Sequence, residues 1–200
     1  MTADNRRDAT RRTILTAAAA VFRERGYDGA SIDDIIARAG VARGTLYYNF
    51  KSKEAIALSL AAAATAALDG RIRPRIGDPE EDPDALLLEA MLASCQWFVE
   101  NAAIARVVLT APLRHPELAA APSPDRPSFR RLTGDILTEG QRRGLFRTDI
   151  DAAALTQIIG GVFIQAVLVG LDKPTKSVEG WVTSLVRVLM DGLRHRDVLS

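Results

Sequence analysis

Apolar residues recur at three- and four-residue spacing along most of the chain, the period of a helix that buries one face. From 8 to 25 the stripe is Ile14, Leu15, Ala18, Val21 and Phe22, and Gly26 follows as a stop. From 31 to 40 it is Ile32, Ile35, Ile36 and Ala39, closed by Gly40. Ser31 and Asp34 have the spacing of a capping box, and Asp33 and Asp34 suit the positive end of a helix. Val41 can pack into the angle before a short third helix over 42–49, anchored inward by Leu46 and Phe50. Ser52 can cap a fourth helix with Glu54 in its first turn, running through an alanine-rich stretch to about 69. Two helices joined by a short turn containing glycine make a helix-turn-helix unit.

Pro74, Pro79 and Pro83 with an acidic cluster mark a loop. A helix over 84–100 follows, apolar around much of its circumference, then a shorter one over 103–111. The five prolines of 112–127 predict a second loop, and a helix over 128–143 ends at Gly144. The last two helices, 151–171 and 177–195, are strongly apolar, and Gly160, Gly161 and Gly170 permit close approach of another helix. These faces can pack within one chain or against a second copy, and large exposed apolar patches point to the second. No strand pattern and no internal repeat is visible. The expected fold is all-α with about nine helices, a helix-turn-helix domain over 1–54 and a helical domain over 55–200.

Charge sharpens this division. Residues 1–55 hold 10 Lys+Arg against 7 Asp+Glu, and residues 56–200 hold 16 against 18. The mild positive excess therefore lies on the helix-turn-helix segment. Arg6, Arg7, Arg11 and Arg12 open the first helix, where cations oppose the helix dipole. A phosphate backbone or a solvated face accounts for them. Cys95 is the single cysteine, which excludes an intrachain disulfide and a cysteine-built zinc site and fits a reducing cytoplasm. No run of about 18 apolar residues stands out, so no membrane span is expected. The two histidines, His115 and His195, lie apart from any metal-ligand spacing, and no glycine-rich phosphate loop is present. No catalytic residue, metal or cofactor is expected, and the chain does not read as an enzyme.

The segment 31–53 carries the candidate chemistry. A helix entering the major groove needs small residues where it approaches closely and donors on its exposed face. Ala42, Gly44 and Thr45 keep the third helix slim, and a glycine inside a helix costs about 1 kcal/mol relative to alanine. Arg43 can meet a guanine edge, and Thr45 a thymine methyl or a phosphate. Tyr47, Tyr48 and Asn49 can reach phosphates, or the tyrosines can be half-buried packing residues. Lys53 and the free N–H groups at its helix start are expected to face a phosphate.

The residues quoted, from the helical stripe over 13–25 through Phe22, Gly26, Tyr27, Ser31, the run Ala39-Gly40-Val41, the stretch from Gly44 to Tyr48, Phe50 and Ser52-Lys53-Glu54, resemble the N-terminal domain of the tetracycline-repressor-like (TetR) family of transcriptional regulators over 13–56. The resemblance carries over a DNA-facing role to Ala42, Arg43, Gly44, Thr45, Tyr47, Tyr48 and Lys53, with Ser31 at the helix start. Asn49 stands where many members have histidine. Beyond 56 only 145–151 resembles the family.

The resemblance implies a homodimer whose C-terminal domain binds a small molecule. Its interface would take Val162 and Val169 from the penultimate helix and Trp181, Leu185 and Val188 from the last. The effector pocket would lie between the fifth, seventh and eighth helices, with Met91, Cys95, Trp97, Phe98, Ile136, Ile159 and Phe163 as candidates, or these are plain core. The expected function is a repressor that binds a palindromic operator in double-stranded DNA and is released by an apolar or aromatic effector. Replacing Leu185 with Glu is expected to yield monomers in sedimentation velocity; an unchanged dimer would refute the interface.

Overall fold

The computed structural model describes residues 3–114, 128–171 and 175–194. Nine α-helices occur among them: α1 Ala3–Gly29, α2 Ile32–Ala39, α3 Arg43–Asn49, α4 Lys53–Ile72, α5 Pro83–Glu100, α6 Ala102–Arg114, α7 Phe129–Arg142, α8 Ala152–Leu171 and α9 Thr175–Leu193. A 3-10 turn, Arg73–Arg75, follows α4. Among the described residues the one bridge of β type is the isolated pair Phe146 and Arg194. His115, His195 and most of the proline-rich stretch lie outside the described residues. Residues 112–114, expected in that loop, instead extend α6. The added turn lets Arg114 donate to Glu54 at 2.6 Å.

The chain divides into two compact units, one of Met1–Ala63 with Asn101–Leu118 and one of Ala64–Glu100 with Ala119–Ser200. In the first, α1 packs on α2 and α6, and α2 on α3. Its core is Ile14, Ala18, Val21, Phe22, Ile35, Leu46, Phe50, Ile56 and Ile104. The helical run of α1 breaks at Gly26, with φ 71° and ψ 172°, a conformation open to glycine. The chain can then turn to the cap of α2. There the Asp34 N–H donates to Ser31 Oγ at 3.1 Å and the Ser31 N–H to Asp34 Oδ2 at 3.0 Å, closing the box read from the sequence. Hydrogen bonds from Ser31, aided by Arg25, hold the Asp34 carboxyl below its usual range. Gly40, at φ 64° and ψ 31°, is the left-handed cap of α2.

In the second unit α5 packs on α7, α8 and α9, and α8 on α7 and α9. Leu86, Leu87, Met91, Cys95, Leu132, Ile136, Leu155, Ile159, Phe163 and Val186 are buried there. Ionic ties close the segment after α4. Arg73 grips Asp69 through two hydrogen bonds of 2.7 and 2.8 Å and reaches Asp135 at 2.7 Å. Arg75 grips Glu81 in the same way and reaches Glu89 at 2.8 Å. Asp69, only 6% exposed, is thereby a buried carboxylate with its charge compensated.

Two segments, Lys53–Arg75 and Ala152–Leu171, have a length and mean hydropathy, 1.4 and 2.0, that a membrane span also has. In α8 the same composition serves packing: Leu155, Ile159, Phe163, Ala166 and Val167 are in the core of the second unit. A core helix of this kind meets the same criterion.

Phe146 fixes the end of α7. Its ring lies against Gly140, where an added Cβ would stand 2.1 Å from Phe146 Cδ2. Replacing Gly140 with Ala is expected to cost about 1–3 kcal/mol through overpacking, read as a lower thermal midpoint. An unchanged midpoint would show that the ring has room to move.

Candidate nucleic-acid interface

α3 starts after Ala42, whose backbone is extended and whose side chain makes no cap, so the helix begins one residue later than the sequence suggests. Leu46 and Phe50 are buried, at 0% and 2% exposure. The opposite face is open. Ala42, Arg43, Gly44, Tyr47 and Tyr48 are exposed, and Thr45 and Asn49 are half-buried. A Cβ at Gly44 would meet nothing within 4 Å. Among the described residues no packing therefore calls for glycine there, and its roughly 1 kcal/mol cost to the helix suits close approach of an outside partner.

Arg43 pairs with Asp33 at 2.5 Å, and its guanidinium lies 5.7 Å from the centre of the Tyr47 ring. Both members of this pair are largely in solvent, so it holds little energy and can open for a ligand. Asn49 turns inward: its Nδ2 donates to Thr45 O at 2.8 Å. Ser31 is occupied by its cap with Asp34, whose other carboxylate oxygen accepts from Arg25 at 2.6 Å.

Lys53 does not stand free as the sequence suggests. Its ammonium donates to Tyr27 O at 2.7 Å and Ala30 O at 2.8 Å, and sits 4.4 Å from the centre of the Tyr27 ring. It ties the start of α4 to the last turn of α1 and the residue that follows it. Burial, with Glu54 adding to it, pushes the Tyr27 hydroxyl above its ordinary value.

The α1 arginines separate into two roles that their spacing does not distinguish. Arg11 donates to Asn49 O at 3.2 Å and Ser59 Oγ at 2.9 Å and lies 4.3 Å from the centre of the Phe50 ring. It thus joins α1, the C-terminal end of α3 and α4. Arg7 lies 5.4 Å from the centre of the exposed Tyr48 ring.

In the second unit Met91, Cys95, Ile136, Ile159 and Phe163 are buried and Trp97 and Phe98 half-buried. The rings form a series: Trp97 meets Phe98 edge-on at 5.1 Å, Phe98 lies 6.5 Å from Phe163, and Phe129 stacks on Phe163 at 5.3 Å. Phe129 was not anticipated; a lone aromatic beside a helix cap gives no periodic signal. On α8, Val162 and Val169 are half-buried, and on α9 Val188 is exposed. The side chains of Trp181 and Leu185 lie outside the described residues.

Comparison with known proteins places this geometry. The family described as bacterial regulatory proteins, tetR family, matches residues 14–60. The transcriptional repressor NicS of Pseudomonas putida is 31% identical over 153 residues, 72% of this chain and 68% of that protein. The chain belongs to the TetR family. The A-factor receptor protein of Streptomyces griseus is 28% identical over 206 residues, which span 96% of this chain and 66% of that protein. A TetR-family transcriptional regulator from Pectobacterium atrosepticum, solved as a crystal structure, has a TM-score of 0.65 at 26% identity and covers 98% of this chain and 99% of its own.

As a TetR-family member the chain is a DNA-binding transcriptional regulator with an N-terminal helix-turn-helix domain and a C-terminal helical domain. The match ends at residue 60, inside α4, so it covers the helices that present the open face of α3. With the ammonium of half-buried Lys53 bonded to Tyr27 O and Ala30 O, Lys53→Met is expected to lower the thermal midpoint and weaken DNA binding without changing the slope of log K against log salt. A slope shallower by about 0.9 would instead make Lys53 a direct phosphate contact.

Proposed function

We propose that this regulator is a ligand-responsive repressor that binds a palindromic operator as a homodimer in the cytoplasm. The observation that carries the reading is the two-sided character of α3, where Leu46 faces the core and Arg43, Gly44, Tyr47 and Tyr48 face solvent. Such a helix can enter the major groove. Arg43 then exchanges Asp33 for the O6 and N7 of a guanine, and Thr45 meets a neighbouring base or phosphate. Tyr47 and Tyr48 donate to phosphates and fix the register. In this division of labour residues 1–54 read DNA and residues 55–200 bind effector and partner.

One short helix spans only a few base pairs, and two copies about 34–36 Å apart read successive major grooves. A dimer built on α8 and α9 is supported by apolar side chains left in solvent, Ile158 at 52%, Ile164 at 37% and Val188 at 69% exposure. A Cβ at Gly160 or Gly161 meets nothing within 4 Å, so a second copy has room to approach closely. Val162, Val169, Trp181 and Leu185 belong to the same two helices.

The effector site is assigned to α5, α7 and α8, where Met91, Cys95, Trp97, Phe98, Ile136, Ile159 and Phe163 are joined by Phe129. Their chemistry suits an apolar or aromatic ligand. Release follows from a population shift: the ligand binds more tightly to a conformation in which the two α3 helices no longer match the groove spacing. Relatives named as a repressor and as a receptor support repression and ligand response.

The test is binding to an operator selected from random-sequence DNA. Arg43→Ala is expected to cost roughly 1–3 kcal/mol at one base position and to relax preference there. Wild-type affinity and preference in this variant would contradict the docking of α3.

A further inference from the structure

Arg6 and Arg7 lie near the start of α1, Ala3–Gly29, where a helix dipole disfavours cations, and Arg11 and Arg12 follow one turn later. Arg11 is accounted for inside the protein by Asn49 O, Ser59 Oγ and the Phe50 ring. Arg7 lies one helical turn earlier, so it shares the face of Arg11 and points along the same side of α3. There it meets not the core but Tyr48, a side chain 68% exposed on the open face of α3. Arg7 is itself exposed, and among the described residues no carboxylate pairs with it. A guanidinium placed on an aromatic ring keeps its in-plane N–H donors free and loses rotamer freedom in advance.

We propose that Arg7 and Tyr48 form a composite phosphate-binding element that extends the DNA surface beyond the helix-turn-helix onto α1. The ring holds the guanidinium beside the recognition helix, and the guanidinium takes a backbone phosphate through charge-assisted hydrogen bonds. The contact carries no base information and acts on affinity and register. Arg11 below it sets the position of the Tyr48 end of α3 and does not itself meet DNA. This inference rests on α3 being the DNA-reading helix.

The experiment measures binding of wild type, Arg7→Ala, Arg7→Lys, Tyr48→Ala and the Arg7→Ala/Tyr48→Ala double variant to a selected operator and to random-sequence duplex across a salt series. Arg7→Ala is expected to weaken both DNAs alike, by roughly tenfold. It should also make the salt slope shallower by about 0.9. Arg7→Lys keeps the charge and should keep the slope. The double variant should lose less than the two single losses combined, because each partner serves the other. A wild-type slope in Arg7→Ala, or strict additivity in the double variant, overturns the composite element while leaving the α3 reading intact. Wild-type protein that binds neither DNA overturns both.

Discussion

A helix of seven residues, as α3 is, does not persist alone in water, because nucleation costs more than its few internal hydrogen bonds return. The exposed face that gives this regulator its function therefore exists only because other elements hold the helix in place. Leu46 and Phe50 enter the core from one side. The Gly40 cap of α2 sets the turn that leads into it. Arg11 adds a cation at the carbonyl of Asn49, the negative end of the α3 dipole, and anchors the same guanidinium on Ser59 of α4. Lys53 closes the frame by fastening α4 to the carbonyls of Tyr27 and Ala30. With support confined to one side, the opposite side is free to carry Arg43, Gly44, Tyr47 and Tyr48.

The cations of the first unit thus do two jobs. Arg11 and Lys53 work inward, where carbonyl oxygens and ring faces replace water around the charge. Arg7 and Arg43 work outward, each resting on a tyrosine of α3. In the second unit Arg73 and Arg75 bind carboxylates of Asp69, Asp135, Glu81 and Glu89 and so fasten the segment after α4 to α5 and α7. Arg143 adds bonds to the carbonyls of Glu81 and Asp78.

Local chemistry was readable along the chain. The capping box of Ser31 and Asp34, the Gly26 and Gly40 stops and the inward pair Leu46 and Phe50 are spaced by helix geometry, and all appear in the structure. The fate of the basic side chains was not readable. Lys53 meets groups 26 and 23 residues away, and Arg11 meets one 48 residues away, so only the folded chain brings them together. Arg7 and Arg11 look alike in sequence and differ because one faces Tyr48 and the other Phe50. Phe129 joined the aromatic series unannounced for the same reason: its partner Phe163 lies on another helix. The apolar character of 151–171 was legible as well, and the structure has Ala152–Leu171 as a helix of mean hydropathy 2.0.

The most direct test of the account is methylation interference on a selected operator with the wild-type protein. Entry of α3 into the major groove predicts that methylation of guanine N7 at two positions about one helical turn apart blocks binding. Interference confined to adenine N3 in the minor groove, or none at either position, would contradict it.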